Sequence, residues 1–131
     1  MHIFTIKSRQ EFIDIQNTCL NSLKSNNIIL LYKKITDKEI EKNKVKNFIK
    51  FGICVSKKIS KKAVVRNKIK RLLRESFRKL VKENNNLIQN NYKYEIIAKK
   101  NILQSNFKEI YEDLVFLIKK INTSTDNSFI L

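Results

Sequence analysis

The sequence predicts one domain of the α+β class. A chain of 131 residues, 42% of them hydrophobic, can bury one core but is too short for two independent domains of ordinary size. Apolar residues recur with helical spacing in some segments, whereas other segments are short apolar runs rich in β-branched and aromatic residues. We therefore expect residues 1 to 122 to fold as a single unit of helices and strands, followed by a disordered tail at 123 to 131.

A first helix is predicted to begin at Ser8. Residues 8 to 11 fit a capping box, in which the Ser8 hydroxyl and the Glu11 carboxylate each satisfy a backbone N–H at the start of a helix. Residues 21 to 27 then break the helical pattern. The predicted apolar face of this helix consists of Phe12, Ile15, Cys19 and Leu23.

Three strands are predicted from apolar runs at residues 28 to 32, 48 to 55 and 94 to 98. We expect the second strand to run antiparallel to the first. Gly52, the single glycine of the chain, lies inside the second strand and marks either a bulge or the close approach of another backbone. Residues 33 to 47 are polar, and we interpret them as a solvated loop with a short helical stretch at about 38 to 44.

Two longer helices are predicted in the second half of the chain. The first covers residues 63 to 82 and has the strongest helical period in the sequence, with apolar positions at Val65, Ile69, Leu72, Leu73, Phe77, Leu80 and Val81. The second begins after Asn106, which is placed with Glu109 to cap it. Its apolar face consists of Phe107, Ile110, Tyr111, Leu114, Leu117, Ile118 and Ile121.

The charge of the chain favours a polyanionic partner. The sequence has 28 Lys and Arg against 12 Asp and Glu, which gives a net charge of +16. Residues 56 to 82 contain 12 basic residues and one acidic residue, Glu75, and so contribute +11 of this total. Nucleic acid is the leading partner class, and an anionic membrane surface is the nearest competitor.

On the predicted helix at 63 to 82, basic residues recur every three or four positions and form one solvent-facing stripe. An ordinary solvated helix face mixes both signs of charge, whereas this one is almost entirely basic, which favours phosphate binding. Charge alone does not exclude DNA as the partner, although zinc-finger ligands, sustained heptads and clear helix-turn-helix spacing are missing from the sequence. The stripe comprises Arg66, Asn67, Lys70, Arg71, Arg74 and Arg78.

Catalytic and metal chemistry by the chain itself is not expected. His2 is the only histidine and is expected in a mobile terminus, and the carboxylates are scattered. Cys19 and Cys54 lie far apart and are expected to be reduced, packed side chains. No apolar run approaches the roughly 18 residues that a membrane span needs, and the first residues do not resemble a signal peptide, so we expect a cytoplasmic protein.

Two segments resemble the signature of the bacterial ribonuclease P protein component. They are residues 51 to 58, FGICVSKK, and residues 63 to 78, AVVRNKIKRLLRESFR. The resemblance extends to Glu11 and Phe12 in the first helix, to Tyr32 in the first strand and to the strand end at 96 to 100. It covers roughly residues 5 to 120, with residues 33 to 47 unmatched.

The resemblance implies an α-β-β-β-α-β-α sandwich, similar to domain 2 of ribosomal protein S5. It implies a left-handed βαβ crossover through the basic helix, against the general rule for parallel connections. It also requires a further short strand near residues 23 to 27.

The same resemblance implies a subunit of an endoribonuclease that removes the 5′ leader of precursor tRNA. Catalysis and Mg²⁺ would belong to the RNA subunit, so that the protein has no catalytic residue, metal site or cofactor of its own. Its partners would be the ribonuclease P RNA and precursor tRNA, with no membrane and no protein partner required. The alternatives are a general or ribosome-associated RNA-binding protein without a processing role, and a protein-only nuclease.

Two sets of site residues follow from the resemblance. The set expected at the RNA subunit is Arg66, Asn67, Lys68, Lys70, Arg71, Arg74 and Arg78. The set expected in a cleft for the single-stranded leader is Phe12, Gln16, Tyr32, Lys57 and Lys58. Two of these residues depart from the family pattern: Lys68 replaces an arginine and loses its bidentate geometry, and Gln16 replaces an aromatic residue one helical turn after Phe12.

Overall fold

A computed structural model describes residues 2–6, 8–18, 21–42, 48–88 and 91–130 of the chain. Two short 3₁₀ turns, Asn85–Leu87 and Lys100–Gln104, supplement the longer elements. Those elements are, in order, β1 (His2–Thr5), α1 (Arg9–Thr18), β2 (Asn21–Lys24), β3 (Ile28–Lys34), α2 (Asp37–Lys42), β4 (Phe48–Cys54), α3 (Ala63–Glu83), β5 (Tyr92–Ala98) and α4 (Phe107–Ile130).

The strands form one five-stranded mixed sheet in the order β1-β4-β5-β3-β2. The α+β class and the α-β-β-β-α-β-α order are confirmed, with β1 and α2 as additional elements. The expected short strand is β2, which forms a hairpin with β3. β4 runs antiparallel to β3 in direction, as predicted, but β5 lies between them. α3 connects the parallel neighbours β4 and β5, and the left-handed sense of this crossover stays a prediction.

The main hydrophobic core lies between one face of the sheet and the helices α3 and α4. The rings of Phe51 on β4 and Phe77 on α3 stack with their centroids 4.5 Å apart. A smaller cluster on the other face of the sheet joins Ile15 of α1 to Leu31 of β3. Because alternate residues of a strand point to opposite faces, β3 and β5 contribute to both clusters.

The helical period correctly predicts α3 and α4. The predicted positions Ile69, Leu73 and Phe77 of α3 are buried, and the capping role of Asn106 is confirmed by the N–H of Glu109, which donates to its Oδ1 at 2.9 Å. The backbone of α4 continues to Ile130, but side chains 123 to 130 are outside the described structure. The expected disorder of this tail therefore stays a prediction.

The prediction for α1 is partly wrong. The Ser8 hydroxyl accepts a hydrogen bond from the N–H of Gln10 at 3.2 Å, so Ser8 caps the helix as expected. The Glu11 carboxylate turns instead toward the sheet, where its Oε2 lies 3.6 Å from Nζ of Lys50. Leu23 is in β2, not on the helix, because α1 ends at Thr18, and Cys19 lies outside the described residues.

The polar segment at 33 to 47 is more ordered than a solvated loop. β3 extends to Lys34, and the predicted short helix is α2, while residues 43 to 47 lie outside the described structure. Glu39 of α2 accepts a hydrogen bond from Nζ of the buried Lys93 at 2.7 Å. Because a buried ammonium group needs a partner, this contact anchors α2 to the sheet.

Candidate nucleic-acid interface

The basic face of α3 lies opposite its buried face. The exposed side chains include Asn67, Lys68, Arg71 and Arg78, and the half-buried ones include Arg66, Lys70 and Arg74. All seven residues expected at the RNA subunit therefore lie on one helix, outside the core. The half-buried row of Lys70 and Arg74 leans over the β4 edge of the sheet, where both residues line a cavity of about 130 Å³.

Arg66 has a structural contact that its charge did not indicate. Its Nη1 donates to the backbone oxygens of Ser60 and Lys61, each at 2.9 Å. The side chain of Lys62, at the N-cap position of α3, makes no capping hydrogen bond. The Arg66 side chain therefore links the preceding loop to the start of the helix. No sequence signal predicts this contact, since an exposed arginine and a bonded arginine look alike in a basic segment.

The basic pair Lys57 and Lys58 lies on a tight turn immediately after β4. The N–H of Ile59 donates to the backbone oxygen of Ser56 at 3.1 Å, and the side chain of Ile59 is buried. This arrangement closes the turn and leaves both lysine side chains exposed, next to the end of β4.

A cleft opens between α1 and the end of β4. β1 pairs with β4 only as far as Phe51, so no strand of the described structure covers the edge of β4 beyond that residue. The main cavity there has a volume of about 420 Å³, within the size range of small-ligand sites. It is lined by Arg9, Phe12, Ile13, Gln16, Ile53, Cys54 and Glu95. The smaller cavity, which Lys70 and Arg74 line, shares Phe12 and Ile53 with it.

Gly52 lets the ring of Phe12 lie against β4. A Cβ at this position would come within 2.5 and 2.6 Å of two Phe12 ring carbons and 3.0 Å of the Ile6 Cβ. The register between β4 and β5 runs through Gly52 and Glu95 without interruption, so there is no bulge. The glycine marks a close approach, as one alternative held, but the approaching group is an aromatic side chain and not a backbone.

The floor of the cleft contains a buried carboxyl group. Glu95 has no exposed surface, and its Oε1 accepts a hydrogen bond from Nε2 of Gln16 at 3.1 Å. Burial raises the pKa of Glu95, and the hydrogen bond from Gln16 opposes this rise. Burial, together with the charge of Glu95, also raises the pKa of the free thiol of Cys54. The sequence signal for this group was one acidic residue within the apolar run at 94 to 98.

Tyr32 does not line this cleft, contrary to the prediction. Its side chain belongs to the main core, on the face of the sheet opposite α1, and is 7% exposed. The ring contacts that of Tyr92, with centroids 6.4 Å apart. The neighbouring Leu31 faces α1 instead, because successive side chains of a strand alternate between faces.

Glu11 and Asp14 of α1 and Glu39 of α2 form ion pairs with lysines of the sheet. Lys33 donates to Asp14 at 2.9 Å, and this hydrogen bond lowers the pKa of Asp14. Glu11 and Glu39 both contact Lys50. By contrast, α3 presents one acidic residue, Glu75, on its exposed basic face. The exposed charged side chains of this face are therefore almost all basic.

Across the described residues, we found no group of three or more His, Cys, Asp or Glu side chains that could hold a metal ion. Within the same part of the chain, every helix is too short or too polar to span a bilayer.

A family model described as ribonuclease P matches residues 4–122 of the chain. The chain belongs to the ribonuclease P protein family. The ribonuclease P protein of Staphylococcus aureus is 27% identical, with a TM-score of 0.69 over 90% of this chain and 94% of that one. The ribonuclease P protein of Thermotoga maritima is 26% identical, with a TM-score of 0.69 over 88% of this chain and 96% of that one. No match was found among curated proteins.

Membership of the ribonuclease P family indicates the general role of the chain. The chain is a protein subunit of ribonuclease P and an RNA-binding component of a ribonucleoprotein that acts in tRNA processing. Its partner is the ribonuclease P RNA. The two departures from the family pattern differ in their surroundings: Lys68 is exposed on α3, whereas Gln16 is bonded to Glu95 at the cleft.

Proposed function

We propose that the chain assists a catalytic ribonuclease P RNA in removing the 5′ leader of precursor tRNA. The supporting observation is that the basic row of α3 and the Phe12 cleft meet at one edge of the sheet. Lys70 and Arg74 line the same cavity as Phe12, so a strand leaving the α3 surface passes two cationic side chains on its way to the cleft. The chain contributes binding, and the RNA contributes the reacting groups and the Mg²⁺.

In this proposal, the exposed and half-buried polar residues of α3 dock on the RNA subunit. Arg71, Arg74 and Arg78 offer planar guanidinium groups for bidentate contact with phosphate, whereas Lys68 and Lys70 act as point charges. If about six phosphates are neutralised, the logarithm of the binding constant falls with the logarithm of salt concentration at a slope of roughly −4 to −5.

The leader strand occupies the cleft between α1 and β4. Phe12 offers a ring face to an unpaired base, a contact worth about 1–3 kcal/mol. The exposed Lys57 and Lys58, at the end of β4, neutralise leader phosphates as the strand leaves the cleft. Arg66 contributes to RNA binding mainly through the loop that it holds.

The chain acts in the cytoplasm, without a membrane or a further protein partner, and holds no cofactor. Magnesium affinity of the holoenzyme rises indirectly, because the protein neutralises phosphates where the leader and the catalytic RNA meet.

A reconstitution assay tests the proposal. The initial rate of leader removal is measured at limiting Mg²⁺ with precursor tRNA and a bacterial ribonuclease P RNA, with and without the chain, and with the chain alone. We expect stimulation that requires the RNA. A general RNA-binding protein would leave the rate unchanged, and a protein-only nuclease would cut without the RNA; either result rejects the proposal.

A further inference from the structure

The helix α1 is attached to the sheet by few apolar side chains. Of residues 9 to 18, all of which the structure describes, Ile15 alone is fully buried, and the cluster that it joins has two other buried members, Ile6 and Leu31. The helices α3 and α4, by contrast, pack on the opposite face of the sheet against the main core. Because apolar burial is the dominant favourable contribution to folding, α1 needs other contacts to hold it on the sheet.

The sheet surface beneath α1 contains a row of three lysines. Lys33 of β3 and Lys50 of β4 are both register partners of Lys93 on β5, which lies between them. The side chain of Lys93 is 5% exposed. Like charges directly opposite each other on neighbouring strands repel, and a buried ammonium group needs a counter-charge. This lysine row therefore needs carboxylates above it.

Two carboxylates of α1 lie on the lysine row. Oδ2 of Asp14 lies 2.9 Å from Nζ of Lys33. Oε2 of Glu11 lies 3.6 Å from Nζ of Lys50 and 3.9 Å from Nζ of Lys93. This oxygen is buried and has no hydrogen bond in the described structure, so it acts on both lysines through its charge. A carboxylate of α2 supplies a third negative charge, which balances the three lysines.

We propose that Glu11 and Asp14 are positioning residues, whose charges hold α1 on the lysine row and so keep the Phe12 ring against β4. The functional part of this inference rests on the proposed function, because it takes the cleft beside Phe12 as the site of the leader. Glu11 and Asp14 are three positions apart and share one face of the helix, and Phe12 directly follows Glu11. Carboxylates repel phosphate, so beside an RNA-binding cleft these charges act on lysines of the protein and not on RNA.

Amide hydrogen exchange of the full chain tests the attachment without any RNA. Glu11→Gln with Asp14→Asn removes both charges and keeps the size of both side chains. We expect protection of the amides 13 to 18 in α1 to fall about tenfold, as two partly exposed ion pairs allow, whereas that of the amides 67 to 83 in α3 changes by less than about twofold. Unchanged protection in α1, or an equal fall in both helices, overturns the inference.

A matched control and a charge exchange sharpen this test. Glu109→Gln with Glu112→Gln removes the same charge from exposed positions near the start of α4 and should leave α1 unaffected. Asp14→Lys places a like charge beside Lys33 and should lower the protection of α1. Adding Lys33→Glu restores an ion pair of reversed direction and should recover most of the loss. A loss that persists in the exchanged pair contradicts attachment by charge.

The reconstituted holoenzyme tests the functional part. Dissociation constants of precursor tRNA and mature tRNA are measured with the wild type, the α1 double variant and the α4 control. We expect the α1 variant to lose about threefold or more of its affinity for precursor relative to mature tRNA, because α1 opens and displaces Phe12, and the control to lose none. If the wild type itself does not favour the precursor, the proposed function fails. If the wild type favours the precursor and the α1 variant keeps that preference in full, only this inference fails.

Discussion

Replacement of Gly52 by alanine tests the packing that forms the cleft. The added Cβ would lie 2.5 Å from a Phe12 ring carbon, whereas ordinary contacts are 3.4–4 Å, so the ring must retreat by about 1 Å. The Ile6 Cβ would lie 3.0 Å from the added Cβ, so the new methyl group cannot move away from the ring in that direction. Overpacking of this kind costs about 1–3 kcal/mol, which corresponds to a fall in melting temperature of roughly 4 to 12 °C for a domain of this size.

The double variant Gly52→Ala with Phe12→Ala isolates the cause. Without the ring the two shortest contacts disappear and the Ile6 Cβ at 3.0 Å remains, while replacement of a strand glycine stabilises the chain by about 0.4–1 kcal/mol through the unfolded state. The loss of stability caused by Gly52→Ala, measured by urea titration, should therefore be at least about 1 kcal/mol smaller in the Phe12→Ala background. The same loss of stability in both backgrounds would refute the packing argument.

Two further predictions concern charge. Arg71→Ala with Arg78→Ala should weaken binding to the ribonuclease P RNA about tenfold or more and reduce the salt slope by about 2, as filter-binding titrations can show. The control, Lys108→Ala with Lys119→Ala on α4, removes the same charge from exposed positions, and equal losses would mean generic attraction. Burial opposes ionisation of Glu39, but the hydrogen bond from Lys93 and the charges of nearby lysines lower the pKa of Glu39 overall. The contribution of ionised Glu39 to stability is therefore present at neutral pH and is lost as the pH falls from about 5 to 3. The melting temperatures of the wild type and Glu39→Gln should converge over that range, and a constant difference would contradict the prediction.

The helices were predictable from sequence because their burial follows a single period. In α3, Ile69, Leu73 and Phe77 are spaced by four residues, and one face of the helix is buried. β1 was not predictable, since it has four residues and its pairing of Ile3 with Ile49 joins distant parts of the chain. Local pattern contains no information about such a partner.

The charge of the site could be predicted from the sequence, but the faces of the sheet on which its side chains lie could not. The run at 28 to 32 is apolar on both faces, so alternation could not show that Tyr32 faces the core and Leu31 faces α1. The arrangement of the basic residues on α3 could be predicted from the helical period alone. The bond from Gln16 to Glu95 joins residues 79 apart in sequence, and it could be found only once the fold brought α1 over β5.

Comparison of precursor tRNA with mature tRNA tests most directly whether the cleft beside α3 binds the leader. Dissociation constants of both are measured for the catalytic RNA alone and for its complex with the chain, at fixed salt and Mg²⁺. We expect the chain to tighten binding of the precursor by about tenfold or more, as expected for one or two stacked bases and neutralised leader phosphates, and that of mature tRNA by less than about twofold. Equal gains for both RNAs would contradict the claim that the cleft beside α3 binds the leader.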